Sequence, residues 1–219
     1  MVSRLAALDM DGTIIKERTI DRLTKKFGIV NKLNKIDSKY KDLKEYQKSK
    51  MIANFFAGYK RKELLSEFLK IPLSEGIKDL ITFLKQKNFL ISIITSSYTF
   101  LARKLAEKLG IPLYFGNTLN DENGILTGEI DMPLSWAKND CKCHSICKLT
   151  IFNNLMHKYK IKKNNSLAIG DSENDYCMLK KAGIAVAYNN NSLIVRKIPN
   201  IIISDDFHEI LDILRKRIK

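Results

Sequence analysis

The sequence predicts an α/β fold, a parallel sheet with helical crossovers that carries a small helical unit inserted after the first strand. Three observations predict it. Strand-length apolar runs alternate with amphipathic helical stretches at both ends of the chain. A helical block from about residue 16 to residue 73 interrupts that alternation early. Polar clusters at Asp9, Thr95 and Asp171 each follow a predicted strand, and open α/β sheets form their sites at the carboxyl ends of strands.

The elements follow in order. Arg4–Leu8 is a short apolar strand that runs into Asp9. Thr19–Phe27, Lys41–Phe56 and Lys62–Phe68 have apolar residues at helical spacing, and Pro72 and Gly76 mark the return from the helical block. Gly76–Lys87 is an amphipathic helix, and Leu90–Ile94 is a buried strand leading into Thr95-Ser96-Ser97. Thr99–Leu109 is a helix closed by Gly110, and Leu113–Phe115 is a short strand. Asn123-Gly124 is a hairpin turn within Glu122–Ile130. Lys148–Tyr159 is a helix, Ser166–Ile169 a strand, and Glu173–Ala182 a helix closed by Gly183. Strands at Ile184–Ala187 and Ile201–Ile203 precede a terminal helix, Phe207–Lys219. The division this implies is a core of residues 1–15 and 74–219, with residues 16–73 as a helical cap domain.

Bulk properties narrow the function. The 219 residues are 45% hydrophobic and 28% charged, the mix of a globular protein. The longest apolar runs are far shorter than the roughly 20 residues of a membrane span. Asp9 and Asp11 interrupt any signal-like apolar region at the start, so the expected location is the cytoplasm and no membrane partner is expected. A net charge of +14 favours anionic ligands. No Lys/Arg block carries interleaved aromatics, which argues against nucleic acid as the partner. A monomer or homodimer acting on a small phosphorylated substrate is the expectation.

Four short clusters carry chemistry. In Asp9-Met10-Asp11-Gly12-Thr13, two acids and a glycine follow a strand. One carboxylate can attack phosphorus, and the other can protonate the leaving oxygen and later activate water. By itself the string is also compatible with an Asx turn. In Gly170-Asp171-Ser172-Glu173-Asn174-Asp175, acids open a helix and can hold a hard cation such as Mg²⁺, or simply cap the helix. Thr95-Ser96 offers a hydroxyl and a backbone N–H to phosphate oxygens, or an ordinary helix N-cap. Lys148 opens a helix ahead of Asp171 and can neutralise both nucleophile and phosphate.

Taken together, DMDGT, IITSSYTF, Lys148 and GDSENDYCMLKKAG resemble the haloacid dehalogenase superfamily of phosphohydrolases, in its phosphoserine-phosphatase-like branch. The resemblance covers essentially the whole chain. It implies a Rossmann-like core with a helical cap between the first two motifs, and an Mg²⁺-dependent phosphatase working through a phospho-aspartate. It implies Asp9 as nucleophile and Asp11 as general acid and base. It implies Mg²⁺ held by the Asp9 carboxylate, the Asp11 carbonyl and Asp171. Thr95, the Ser96 N–H and Lys148 would grip the phosphoryl group, with Gly12 and Asn174 beside it, and Asp175 would orient Lys148.

The resemblance breaks where the substrate is read. Relatives have a Glu for a substrate amino group at the position of Arg18, which here lies beside Glu17. They also use a cap Arg for the carboxylate, at a position that falls near Ile52. Arg18 would repel an ammonium and suit a further anion, so Glu17 and Arg18 are the candidate specificity residues and phosphoserine is not the expected substrate. Cys141, Cys143, His144 and Cys147 contain enough thiol and imidazole for one Zn²⁺, but the spacing is tight and no second Cys pair completes it; reduced thiols are the default. Trp136 reads as a packing anchor. A phosphoserine phosphatase proper, transfer of the phosphoryl group to an alcohol, and a non-enzymatic basic nucleic-acid-binding protein are the alternatives.

Overall fold

The computed structural model describes residues 3–40, 42–132, 144–190 and 192–218. Strand β1 (Arg4–Leu8) is followed by helices α1 (Thr19–Lys26), α2 (Val30–Lys39), α3 (Glu45–Asn54) and α4 (Arg61–Phe68). Helix α5 (Ile77–Gln86), strand β2 (Phe89–Tyr98) and helix α6 (Thr99–Leu109) come next, then the hairpin strands β3 (Leu113–Glu122) and β4 (Ile125–Asp131). The second half holds α7 (Lys148–Lys158), β5 (Ser166–Gly170), α8 (Tyr176–Lys181), β6 (Ile184–Tyr188), α9 (Leu193–Arg196), β7 (Ile202–Ser204) and α10 (Phe207–Arg217). The strands form one seven-stranded sheet in the order β4-β3-β2-β1-β5-β6-β7. Every neighbouring pair is parallel except the β3–β4 hairpin.

β1 is central, and its pattern shows why. Leu5 and Ala7 belong to one apolar cluster, Ala6 and Leu8 to the other, as a period-two strand buried on both faces requires. The first cluster takes Ile151, Phe152 and Leu155 from α7 and Met178 and Leu179 from α8. The second takes Leu80 and Leu84 from α5, Leu101 and Leu105 from α6, and Phe207 and Leu211 from α10. Helices therefore cover both faces, and the carboxyl ends of β1, β2 and β5 are left to form a site.

The helical insertion leaves and returns at one point. Ile15 bridges to Leu73, and the Lys16 N–H donates to the Pro72 carbonyl at 3.0 Å. Its residues Leu23, Leu33, Ile36, Phe56, Leu64 and Phe68 continue the apolar cluster that holds Ala6 and Leu8 of β1. The β3–β4 hairpin reaches up to it: Gly58 N–H donates to Leu126 O at 2.8 Å, and Leu126 N–H to Tyr59 O at 2.9 Å. Gly128, at φ +85°, lets the hairpin lie against α3; a Cβ there would come within 2.9 Å of Ala57 Cβ and 3.1 Å of Asn54 Oδ1.

Several boundaries differ from the sequence reading. The helix expected over 41–56 starts only at Glu45, where the Gln47 side chain turns back to accept from the Lys44 N–H at 3.0 Å, and α2 precedes it as a separate helix. β3 is ten residues long rather than three, because its second half changes partner from β2 to β4. β2 runs on through Thr95-Ser96-Ser97 with a register shift, so these residues are strand and not a helix cap. The helix expected from Glu173 begins with a single 3₁₀ turn, Glu173–Asp175, before α8. The short α9 has no counterpart in the sequence reading. No helix among the described residues is long and apolar enough to cross a membrane.

Candidate active site

The turn after β1 is built to present acids. The Asp9 N–H donates to Ile169 O of β5 at 2.9 Å, which fixes the strand end. The Met10 carbonyl accepts from the N–H groups of Ile14 (2.9 Å) and Ile15 (3.0 Å), so the chain doubles back at once. Gly12 completes the turn at φ +71°, where a Cβ would collide with the Asp171 carboxylate. Asp11 is turned toward α1. Its Oδ1 accepts from the Thr19 N–H at 2.7 Å and from the Thr19 hydroxyl, a helix-start contact favoured by the dipole. Burial holds the Asp11 carboxyl above the ordinary carboxylate range, offset in part by these Thr19 donors.

Lys148, the first residue of α7, is 4% exposed and reaches into the acids. Its Nζ donates to Asp9 Oδ1 and, at 2.6 Å, to Asp175 Oδ1. Asp175 is fully buried, and its other oxygen accepts from the Ser172 N–H (3.1 Å) and hydroxyl (2.9 Å). That return contact makes the 3₁₀ turn ahead of α8. Burial alone would push the Lys148 ammonium down; Asp175 and Asp9 outweigh it and hold the group above the normal lysine range. Burial raises Asp9 well above its usual value, the Lys148 charge opposes this, and Asp175 and Asp171 reinforce it. Asp171 is pushed up to about 6, chiefly by burial and then by Asp175.

Carboxylate oxygens of Asp9, Asp171 and Asp175 lie within 4.8 Å of one another. Three acids converge on one ammonium, and carboxylate oxygens gathered this closely suit a divalent cation with hard oxygen ligands. Both Asp175 oxygens are already engaged, which leaves the Asp9 and Asp171 side chains as the natural donors. The Asp11 side chain, held by Thr19, points its hydrogen-bonded oxygen elsewhere.

A cavity of about 460 Å³ opens above these acids, between the carboxyl ends of the strands and the helical insertion. Asp9, Asp11, Gly12, Ser96, Lys148, Asp171 and Asn174 line it, so the structure gathers most of the residues singled out from the sequence. Thr95 lies at the same strand end but is buried behind the wall, its hydroxyl accepting from the Ser97 N–H at 3.1 Å. Arg18 lines the cavity, but its guanidinium is held by Asp37 at 3.2 Å and Asp21 at 3.5 Å. The free cation that the sequence suggested there is therefore already paired. Glu17 is not on the wall and sits 3.7 Å from Arg22. Asp37, Glu45, Lys48 and Ser49 from the insertion were not foreseen; their lone positions on solvent-facing helices carry no local signal. Cys141, Cys143 and Trp136 lie outside the described residues. His144 Nδ1 is 2.7 Å from Glu45 Oε2, and buried Cys147 accepts from the Thr150 hydroxyl at 3.1 Å.

A family model described as haloacid dehalogenase-like hydrolase matches residues 6–180. The chain belongs to this family. Relatives place it in the phosphoserine-phosphatase-like branch, and it is a phosphoric monoester hydrolase by kind. It is 28% identical over 193 residues to a phosphoserine phosphatase of Archaeoglobus fulgidus, covering 85% of this chain but about half (52%) of that relative. It is 25% identical over 222 residues to a phosphoserine phosphatase of Methanocaldococcus jannaschii, covering 97% of this chain and 98% of the relative. Among solved structures, a phospho-aspartyl intermediate analogue of phosphoserine phosphatase matches with a TM-score of 0.82 at 24% identity, over 97% of this chain and 99% of that one. At that identity the likeness speaks for the fold.

The Asp9–Lys148–Asp175 array makes a stability prediction. Lys148→Met leaves two buried acids without their cation and should lower the unfolding free energy by about 3–5 kcal/mol. Denaturant unfolding checks it, and added Mg²⁺ should recover part of the loss in the variant, because the cation then answers the acids.

Proposed function

We propose that the protein is an Mg²⁺-dependent phosphatase that hydrolyses a small phosphomonoester through a phospho-aspartate on Asp9. One observation carries the reading: a single buried lysine is shared by Asp9 and Asp175, directly beside Asp171 and beneath a cavity of metabolite size. Residues 16–73 act as a cap over a core of residues 1–15 and 74–219, and the reaction takes place in the cytoplasm. The Ile15–Leu73 bridge at the base of the insertion supports that division.

Asp9 and Asp171 would hold Mg²⁺ together with the Asp11 carbonyl, and the ion would supply positive charge to the phosphoryl oxygens. Lys148 lowers the repulsion between the Asp9 carboxylate and an anionic substrate, while Asp175 fixes where the ammonium sits. An Asp9 oxygen attacks phosphorus, the phosphorus–ester oxygen bond breaks, and Asp11 gives its proton to the departing alkoxide. The raised affinity of buried Asp11 for its proton suits that first role. Asp11 then takes a proton from water, whose oxygen attacks the phosphorus, releasing inorganic phosphate and restoring Asp9. Ser96, Gly12 and Asn174 stand on the cavity wall, where they would contact phosphoryl oxygens, with the Thr95 hydroxyl supporting the Ser96–Ser97 backbone.

Phosphoserine itself is the second reading. The named relatives favour it, and so does Asp37 on the wall, whose pairing with Arg18 offsets the repulsion an ammonium would meet there.

Two outcomes test these readings. Asp9→Asn should fold normally and lose roughly a thousandfold or more of kcat, read as phosphate release with Mg²⁺. Arg18→Glu should raise kcat/KM for phosphoserine relative to sugar and organic-acid phosphates by about threefold, since Arg18 is half exposed and already paired with Asp21 and Asp37, and an exposed charge contact contributes less than about 1 kcal/mol. If the wild-type protein already prefers phosphoserine over the panel, Arg18 does not read the substrate and the second reading stands.

A further inference from the structure

Beside the cavity, the insertion touches the segment just ahead of Lys148 through Glu45. Glu45, the first residue of α3, lies 99 residues before His144 in sequence, yet its Oε2 is 2.7 Å from His144 Nδ1. Its Oε1 accepts from the Ser145 hydroxyl at 3.2 Å. Ser145 is fully buried and accepts in turn from Asn117 Nδ2 at 3.1 Å. The same Asn117 amide donates to the Ser96 carbonyl at 2.8 Å, and Asn117 is itself fully buried in β3. One hydrogen-bonded chain therefore runs from the insertion, through the segment just ahead of Lys148, to the strand end that carries Ser96.

We propose that Glu45 is a positioning residue whose carboxylate clasps His144 and Ser145, fixing both the start of α7 that aims Lys148 and the strand end that presents Ser96. This rests on the phosphatase reading of the site. Three physical arguments support it. Ser145 stands three residues before Lys148 in a buried stretch, so a hold on its hydroxyl limits the freedom of the helix start. Both carboxylate oxygens are used at once on two adjacent residues, which sets direction as well as distance. Glu45 also sits at the N-terminus of α3, where the helix dipole stabilises its negative charge. Any motion that lifts the insertion off the core breaks both contacts together, so closure over the cavity and placement of the phosphate-binding groups become a single event.

The test uses the full chain, with p-nitrophenyl phosphate and Mg²⁺ as the probe and amide hydrogen exchange as a readout independent of catalysis. Glu45→Ala should lower kcat by roughly tenfold or more, as small misplacements of catalytic groups do. It should also speed exchange in residues 144–148 and at Ser96–Ser97 without moving the melting temperature by more than about 3 °C. Glu45→Gln keeps an acceptor for Ser145 and should stay within about threefold of wild type. Ser145→Ala combined with Glu45→Ala should be no worse than the poorer single variant, because one clasp is lost only once. Glu129→Ala, an exposed acid on β4 outside the contact, should match wild type in every readout. Wild-type exchange and wild-type kcat in Glu45→Ala would overturn the proposal. So would parallel losses of melting temperature and kcat in both the Ala and Gln variants, since that pattern marks a merely structural role. If wild type shows no hydrolysis of the probe, it is the phosphatase reading that fails, and the exchange data alone then decide the clasp.

Discussion

The arrangement turns on one buried ammonium held between two acids. Lys148 has almost no contact with solvent, and a lone charge there would cost several kcal/mol. Asp9 and Asp175 make it tolerable, and Lys148 in turn offsets the burial of both, with Ser172 holding the second oxygen of Asp175. The three groups come from the ends of β1 and β5 and the start of α7, so the sheet must be in register for any of them to be satisfied. Much else follows. The doubled-back turn after Asp9, the left-handed Gly12 and the 3₁₀ turn that swings Asp175 back to Ser172 all bring these side chains to one point.

The fold and the acid cluster were largely legible in the sequence because their signals are local. β1 reads as a strand from five adjacent residues, and DMDGT and GDSEND announce loops at strand ends without help from distant contacts. Boundaries failed where a long-range partner decides the structure. β3 outruns its apolar run because β4 supplies its second set of hydrogen bonds, and Thr95–Ser97 carry β2 across a register shift where the Asn117 amide of β3 donates to the Ser96 carbonyl. The cavity wall was the least legible part. Arg18 reads as a free cation until Asp37, nineteen residues on, is seen beside it, and nothing in the sequence around Glu45 points to His144. Specificity resides in such pairings between elements, and a single chain read in order does not display them.

The wall also qualifies the simple charge argument. The net charge of +14 suggests a basic pocket, yet the insertion contributes Asp37 and Glu45 alongside Arg18 and Lys48. The cavity offers both signs to whatever extends beyond the phosphate, while the acids below demand a cation before they accept a second anion. The overall positive field can draw phosphorylated metabolites in, but local pairing decides which of them fit.

The proposed mechanism requires that Asp9 becomes covalently phosphorylated during turnover. The most direct measurement is acid quench of the protein within a single turnover with Mg²⁺ and a phosphomonoester, followed by proteolysis and mass spectrometry. A phosphoryl group should be found on the peptide containing Asp9, appearing and decaying at rates consistent with kcat and absent when Asn replaces Asp9. Phosphate release with no label on that peptide, or a label carried by a different residue, would contradict it.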